Sequence, residues 1–172
     1  MPKKTSDRSA GEIIAAPESK PRRLRRLNEV WSSRGRPIFF LTLCTHDRKC
    51  WLASRVILEA FVTFAKSSPE KANVWVGRFV LMPDHLHVFV SAEGSNCLGR
   101  WVGSLKGYLA SAKRKLRISG EAWQDGFFDH VLRGTESYSE KWQYVRMNPV
   151  RANLVQNPGD WPYIGEVHRI DW

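Results

Sequence analysis

Two runs rich in apolar, β-branched and aromatic residues, Val74 to Met82 (VWVGRFVLM) and His85 to Ser91 (HLHVFVS), are separated by only Pro83-Asp84. Residues of these types favour strands, and proline presets φ for a tight bend. The segment therefore reads as a β-hairpin, which commits the chain to an antiparallel sheet. Other elements follow from periodicity. Ile38 to Thr45 (IFFLTLCT) reads as a buried strand. Arg55 to Ser67 places Val56, Ile57, Ala60, Phe61, Phe64 and Ala65 at the spacing of an amphipathic helix. Leu98 to Leu116 reads as a second helix with a basic face formed by Arg100, Lys106, Lys113, Arg114, Lys115 and the following Arg117. After Gly120, Trp123 to Leu132 reads as partly extended, and a third helix is predicted from about Tyr138 to Met147. Ser137 and Glu140 have capping-box spacing at its start. Asn148-Pro149 is expected to end it, because the residue before a proline is biased away from the α region. The order predicts an α+β fold of ferredoxin-like or RRM-like type, an antiparallel sheet with helices packed mainly on one face.

A length of 172 residues suits one domain, and 42% hydrophobic content suffices for its core. The net charge of +10 points to a polyanionic partner, nucleic acid before an acidic membrane surface. Met1 to Arg36 holds ten Lys or Arg against four Asp or Glu, a net of +6. Residues 1–34 are accordingly expected to form a flexible basic arm and 35–172 a single folded domain. Within the arm, Arg22, Arg23, Arg25 and Arg26 are candidate phosphate contacts, since each cation placed near a phosphate releases a condensed counterion; a merely solvated tail is the alternative. No stretch reaches the 18 or more apolar residues of a membrane span, and the first 30 residues lack the apolar core of a secretory signal. Cys44, Cys50 and Cys97 do not read as a disulfide framework, so reduced thiols and a cytoplasmic location are expected.

The sharpest chemical feature is His85-Leu86-His87. Residues i and i+2 of a strand share a face, so the imidazoles stand about 7 Å apart at the backbone and can share a divalent ion, while Leu86 points into the core. A second feature is Trp142-Gln143-Tyr144-Val145-Arg146-Met147-Asn148, in which Tyr144 and Asn148 share one helix face. A tyrosine phenol near a cation can attack a phosphodiester. The Asn148 amide oxygen suits Mg²⁺ or Mn²⁺ and could complete a site with the two histidines. Taken alone, the same residues also fit a core tyrosine and a helix-capping asparagine. Tyr108 and Tyr138 are alternative nucleophiles without a ligand-type residue four positions on. Cys44, His46 and Cys50 offer three ligands at a spacing unlike common zinc modules. Arg100, Lys106 and His130 are further candidate DNA contacts.

Four blocks together carry a family likeness. Met82-Pro83-Asp84-His85-Leu86-His87 resembles the metal-binding strand of the HUH transposases and relaxases. Trp123-Gln124-Asp125-Gly126-Phe127-Phe128-Asp129-His130, Tyr144-Val145-Arg146-Met147-Asn148-Pro149-Val150-Arg151 and Asp160-Trp161-Pro162-Tyr163 resemble, in order and spacing, blocks of the REP-associated tyrosine transposases. The likeness spans Gly35 to Tyr163. It implies Tyr144 as nucleophile, His85 and His87 as metal ligands, and Asn148 in the place of a third ligand that is glutamine in some relatives. It further implies a monomer that cleaves and rejoins single-stranded DNA at REP-type hairpins through a metal-assisted 5′-phosphotyrosine. The competing expectations are a non-catalytic nucleic-acid-binding module, needing no metal, and a membrane-surface protein, for which the large apolar face of an interfacial helix is missing.

Overall fold

The computed structural model describes residues 36–93, 95–132 and 134–170. In chain order the elements are β1 (Ile38–Cys44), α1 (Arg55–Lys66), α2 (Ser68–Ala72), β2 (Val74–Leu81), β3 (His85–Ala92), α3 (Ser95–Lys115), β4 (Phe128–Val131), α4 (Thr135–Arg146), α5 (Asn148–Arg151) and β5 (Ile164–Glu166), with 3-10 turns at His46–Arg48 and Pro158–Asp160. The basic residues Arg22, Arg23, Arg25 and Arg26 lie outside the described residues. The hairpin forms at Pro83-Asp84, where the Met82 N–H donates to the His85 carbonyl at 2.8 Å. The sheet order is β4-β1-β3-β2-β5 with antiparallel ladders between neighbours. Its first four strands have the order of a ferredoxin-like split βαβ sheet, and β5 extends it beyond β2. The expected α+β class is thus the observed one.

Burial follows the two-residue period of the strands. Leu86, Val88, Val90 and Ala92 of β3 and Phe39, Leu41 and Leu43 of β1 join the main core with Ile57, Phe61 and Ala65 of α1 and Leu98, Trp101, Val102, Leu105 and Leu109 of α3. The two long helices therefore cover one face. The Ser54 side chain caps α1 by accepting from the Ile57 N–H. The opposite face carries α4: Phe89 meets Tyr138 and Trp142 edge-on, with ring centroids 4.9 and 6.2 Å apart. Val145 packs with Val80, Met82 and Trp161 in a separate cluster on that side. A bulge between Val76 and Phe79 lets Gly77 and Arg78 both address this face; a Cβ on Gly77 would lie 2.5 Å from Ile170, and Arg78 sits over the Tyr138 and Trp142 rings.

Three local expectations are corrected. Helix α4 begins at Thr135, not Tyr138, after extended Gly134, so Ser137 lies inside the first turn and forms no capping box. The chain does not leave the helical region at Asn148-Pro149. It breaks at Met147, and α5 begins at Asn148 with Pro149 in its first turn, where the missing N–H costs no helical bond. The basic face of α3 is also not wholly free. The Lys113 ammonium donates to the carbonyls of Ser119, Gly120 and Glu121, and Lys106 donates to those of Gln124 and Gly126. These two lysines hold the loop that leads into β4.

Phe61 is fully buried and its ring centroid lies 4.6 Å from that of Phe79. Phe61→Ala is expected to cost about 3–5 kcal/mol of folding free energy; a loss of less than about a third of that in the unfolding free energy fitted from urea denaturation would show that the helix layer is not the main core.

Candidate active site

Strand β3 presents His85 and His87 on the face away from α1 and α3, because Leu86 between them is fully buried in the main core. The register sets their neighbours: Thr42 lies opposite His87 and Cys44 opposite His85. The imidazole centroids are 4.7 Å apart. Each ring is held at Nδ1. His85 Nδ1 lies 2.7 Å from Asp84 Oδ1, and His87 Nδ1 lies 2.8 Å from Thr42 Oγ1. A histidine anchored at Nδ1 keeps Nε2 for a metal, and such outer contacts fix tautomer and ring direction. Asp84 is itself held by Arg48, whose Nε lies 2.7 Å from Oδ2. Arg48 and Asp47 both have left-handed backbone, φ 55° and 51°. For a long side chain this conformation is strained, and here it carries the guanidinium to the aspartate.

Burial pushes the His85 pKa down, against the opposing pull of Asp84. His87 is pushed down to about 3, first by burial, then by His85 once that ring is protonated, and by the cations Lys141, Arg48 and Arg151. Both rings are therefore neutral near pH 7, the state a metal ligand requires.

Helix α4 and the turn after it supply the second half. Lys141, Tyr144, Asn148 and Arg151 recur at helical spacing along one stripe. The Lys141 ammonium lies 5.2 Å from the Phe40 ring centre, and that ring stacks on His87. Arg151 lies 4.1 Å over the Tyr144 ring and donates to the Tyr144 carbonyl at 2.6 Å and to Asn148 Oδ1. Tyr144 is 62% exposed, so a polymer can reach its phenol. Lys141 and Arg151, at the two ends of the stripe, both act electrostatically on His87. The Lys141 end of the stripe thus approaches the histidine pair through Phe40.

Among the described residues no group of three or more His, Cys, Asp or Glu side chains gathers as a metal site. A metal at the histidines would need a different third donor. The Asn148 amide oxygen has two lone pairs, of which Arg151 takes one, so it retains one for a hard cation. Two neutral imidazoles and an amide oxygen are a donor set compatible with Mn²⁺ or Mg²⁺ completed by water or phosphate oxygens.

The remaining sequence candidates fall elsewhere. Cys44 accepts from Arg48, and His46 pairs with Asp47 and Glu121, so these residues are turned to other partners than a shared zinc. Tyr138 is buried under the sheet, and Tyr108 packs on Phe64 among the helices of the opposite face. Arg100 lies on α3, also on that opposite face, and Lys106 is engaged by loop carbonyls. His130 lies opposite Phe40 in the β1–β4 ladder and therefore on the histidine face. Sequence reading passed over Thr42, Arg48, Asp84 as an orienting carboxylate, Lys141 and Arg151. Asp84 could have been found from its place beside His85; Lys141 and Arg151 could have been found by extending the Tyr144–Asn148 stripe by a turn each way. Thr42 and Arg48 become visible only with the register and the loop in place.

An antiparallel sheet bearing a histidine pair, crossed by a helix with an exposed tyrosine, is the arrangement of a tyrosine transposase. The family model described as "Transposase IS200 like" matches residues 38–148, and the chain belongs to that family. Within it the chain is a homologue of the REP-associated tyrosine transposases. It is 26% identical over 147 residues to the REP-associated tyrosine transposase of Escherichia coli strain K12, covering 78% of this chain and 83% of that protein. It is 24% identical over 155 residues to a putative REP-associated tyrosine transposase of Haemophilus influenzae, covering 78% and 86%. A solved REP-associated tyrosine transposase bound to a REP hairpin shares the fold, with a TM-score of 0.61 at 18% identity over 79% of this chain and 90% of that one. No helix among the described residues is long and apolar enough to cross a membrane.

The lowered His87 pKa has a direct consequence. The folded state prefers the neutral ring, so the unfolded chain binds more protons between pH 6.5 and about 3. Stability of the metal-free protein is expected to be fullest above pH 6.5 and to fall as pH drops through that window, with His87→Gln reducing the steepness. Urea midpoints measured across the range check this, and identical slopes for both proteins would count against a buried neutral His87.

Proposed function

We propose that this chain cuts and rejoins single-stranded DNA at REP-type hairpins through a 5′-phosphotyrosine, with Tyr144 as nucleophile. The observation that supports this most is Arg151. One side chain contacts the Tyr144 ring, the Tyr144 carbonyl and Asn148 Oδ1, and its charge also acts on His87. The nucleophile, the amide and the imidazoles are thereby tied into one electrostatic unit. The REP hairpin held by the solved relative supports the same substrate class here.

His85, His87 and Asn148 are the residues that would hold Mg²⁺ or Mn²⁺. When bound, the ion supplies a Lewis acid that polarises a non-bridging phosphate oxygen. The chain's own groups do the rest. Asp84, an acceptor only, holds the neutral His85 ring in the tautomer that leaves Nε2 free, and Thr42 fixes the direction of the His87 ring. Lys141 and Arg151 offset phosphate charge beside the attacking phenol. The Tyr144 oxygen bonds to phosphorus, the bond from phosphorus to the 3′-oxygen breaks, the phenol proton passes to solvent and the departing 3′-oxygen takes one up. The new ester conserves the bond energy, so another 3′-hydroxyl reverses the step without ATP. The domain from residue 35 to 172 acts as a monomer in this reading, and the basic segment 1–34 grips phosphates.

A covalent-adduct assay tests it. Labelled REP-type hairpin DNA is incubated with the full chain and Mn²⁺, then run on a denaturing gel. A shifted band is expected that disappears with chelator, Tyr144→Phe or His85→Ala. A band surviving Tyr144→Phe would remove that residue as nucleophile, and tight binding without any band would favour a non-catalytic binder. Deleting residues 1–34 is expected to flatten the dependence of log K on log salt by roughly 0.7 for each cation that meets a phosphate, about 3.5 from Lys20, Arg22, Arg23, Arg25 and Arg26 alone and at most about 6 from all nine Lys and Arg removed. An unchanged slope would show that the segment does not touch phosphate.

A further inference from the structure

We infer that Phe128 is a stacking platform for a base of the single strand close to the scissile phosphate, an inference that rests on the proposed DNA-cleaving reading. Phe128 opens β4, the edge strand beside β1, and its side chain is 70% exposed. The ladder places it opposite Thr42, and Thr42 lies opposite His87. Phe128, Thr42 and His87 thus form one row across three strands on the same face. At about 4.8 Å per strand, Phe128 stands roughly 10 Å from His87 along that row. A base belonging to a nucleotide next to a phosphate held at the histidines falls within reach of the ring.

An exposed phenylalanine on an edge strand contributes little to the core and leaves an apolar surface that other chains can seize. Its surroundings specify what does cover it. Lys141, Arg48 and Arg151 make the row's far end positive. Asp129, next to Phe128, pairs with Leu41 and so belongs to the other face, while His130 returns to this one opposite Phe40. An exposed aromatic ring in line with a cationic patch one nucleotide away is an arrangement that binds single-stranded nucleic acid by stacking, which every base can do. The approach to the ring is also rigid. Lys106 donates to the carbonyls of Gln124 and Gly126, and the Trp123 indole donates to the Lys106 carbonyl at 2.9 Å, so the segment just before β4 is pinned to α3. Lys106, read from the sequence as a phosphate contact, instead steadies the strand that carries Phe128.

The test uses the full chain in chelator, so that no cleavage intervenes. The probe is a REP-type hairpin with a four-nucleotide single-stranded 5′ foot, made in four versions with 5-iodo-deoxyuridine at each foot position in turn. After irradiation, peptides bearing nucleotide are located by mass spectrometry. A crosslink to Phe128 from one or two positions is expected, with about tenfold or weaker affinity for Phe128→Leu and recovery in Phe128→Trp. Phe128 is exposed, so these variants are expected to fold as the parent does. Crosslinks only elsewhere, together with unchanged affinity of Phe128→Leu, would overturn the platform. The cleavage reading would then still stand if the Tyr144 adduct forms with Mn²⁺. No binding of any hairpin by the parent chain would overturn both.

Discussion

The pairing of β1 with β3 decides which way the histidines face. Side chains alternate along a strand, so a slip of one residue would carry His85 and His87 beneath α1 and α3 and push Leu86, Val88 and Val90 out. The observed register is held because Leu41 and Leu43 lie opposite Val88 and Leu86, all within the main core. The Pro83-Asp84 turn fixes the same register from the β2 side. Contacts that make the pair chemically useful are consequences of this alignment. Thr42 reaches His87 Nδ1, Phe40 stacks on the His87 ring, and Phe128 falls into line with both.

A second packing event seats the helix that carries Tyr144 on the histidine face of the sheet. Val145, the neighbour of Tyr144, is buried with Val80, Met82 and Trp161. The Trp161 indole donates to the Leu81 carbonyl, and the Leu81 N–H donates to the Tyr163 carbonyl. The tail of the domain thereby clamps the end of α4 against the end of the hairpin. Tyr144 itself stays exposed because the apolar contacts are made by the residue beside it. The sheet thus divides labour between its faces: α1 and α3 seal one side, and the other leaves its chemistry open to a polymer. Arg100, on the sealed side, lies across the sheet from the histidines.

The charges of the open face have two effects. They add to the burial that keeps His87 neutral, since an imidazolium among Lys141, Arg48 and Arg151 would be repelled as well as desolvated. They also make the face attractive to phosphate, consistent with family membership and with the chain's overall charge of +10. The left-handed backbone at Arg48 is the structural cost of aiming its guanidinium at Asp84.

What the sequence determined by itself was local and periodic. The two-residue turn, the alternation that sets His85 and His87 on one face with Leu86 on the other, the amphipathic stripe of α1 and the four-residue spacing of Tyr144 and Asn148 all follow from backbone geometry repeated every two or 3.6 residues. Even among local features, the start of α4 depended on Gly134, whose extended backbone no neighbouring residue announces. Tertiary structure alone decided the rest. Thr42 became a partner of His87 through a pairing 45 residues apart, and Arg48 reached Asp84 through a loop conformation. Lys106 left the basic face for the carbonyls of Gln124 and Gly126, 18 and 20 residues along the chain. Such contacts arise from register and packing between distant segments, and a pattern read along one segment carries no information about which distant carbonyl or ring will meet it.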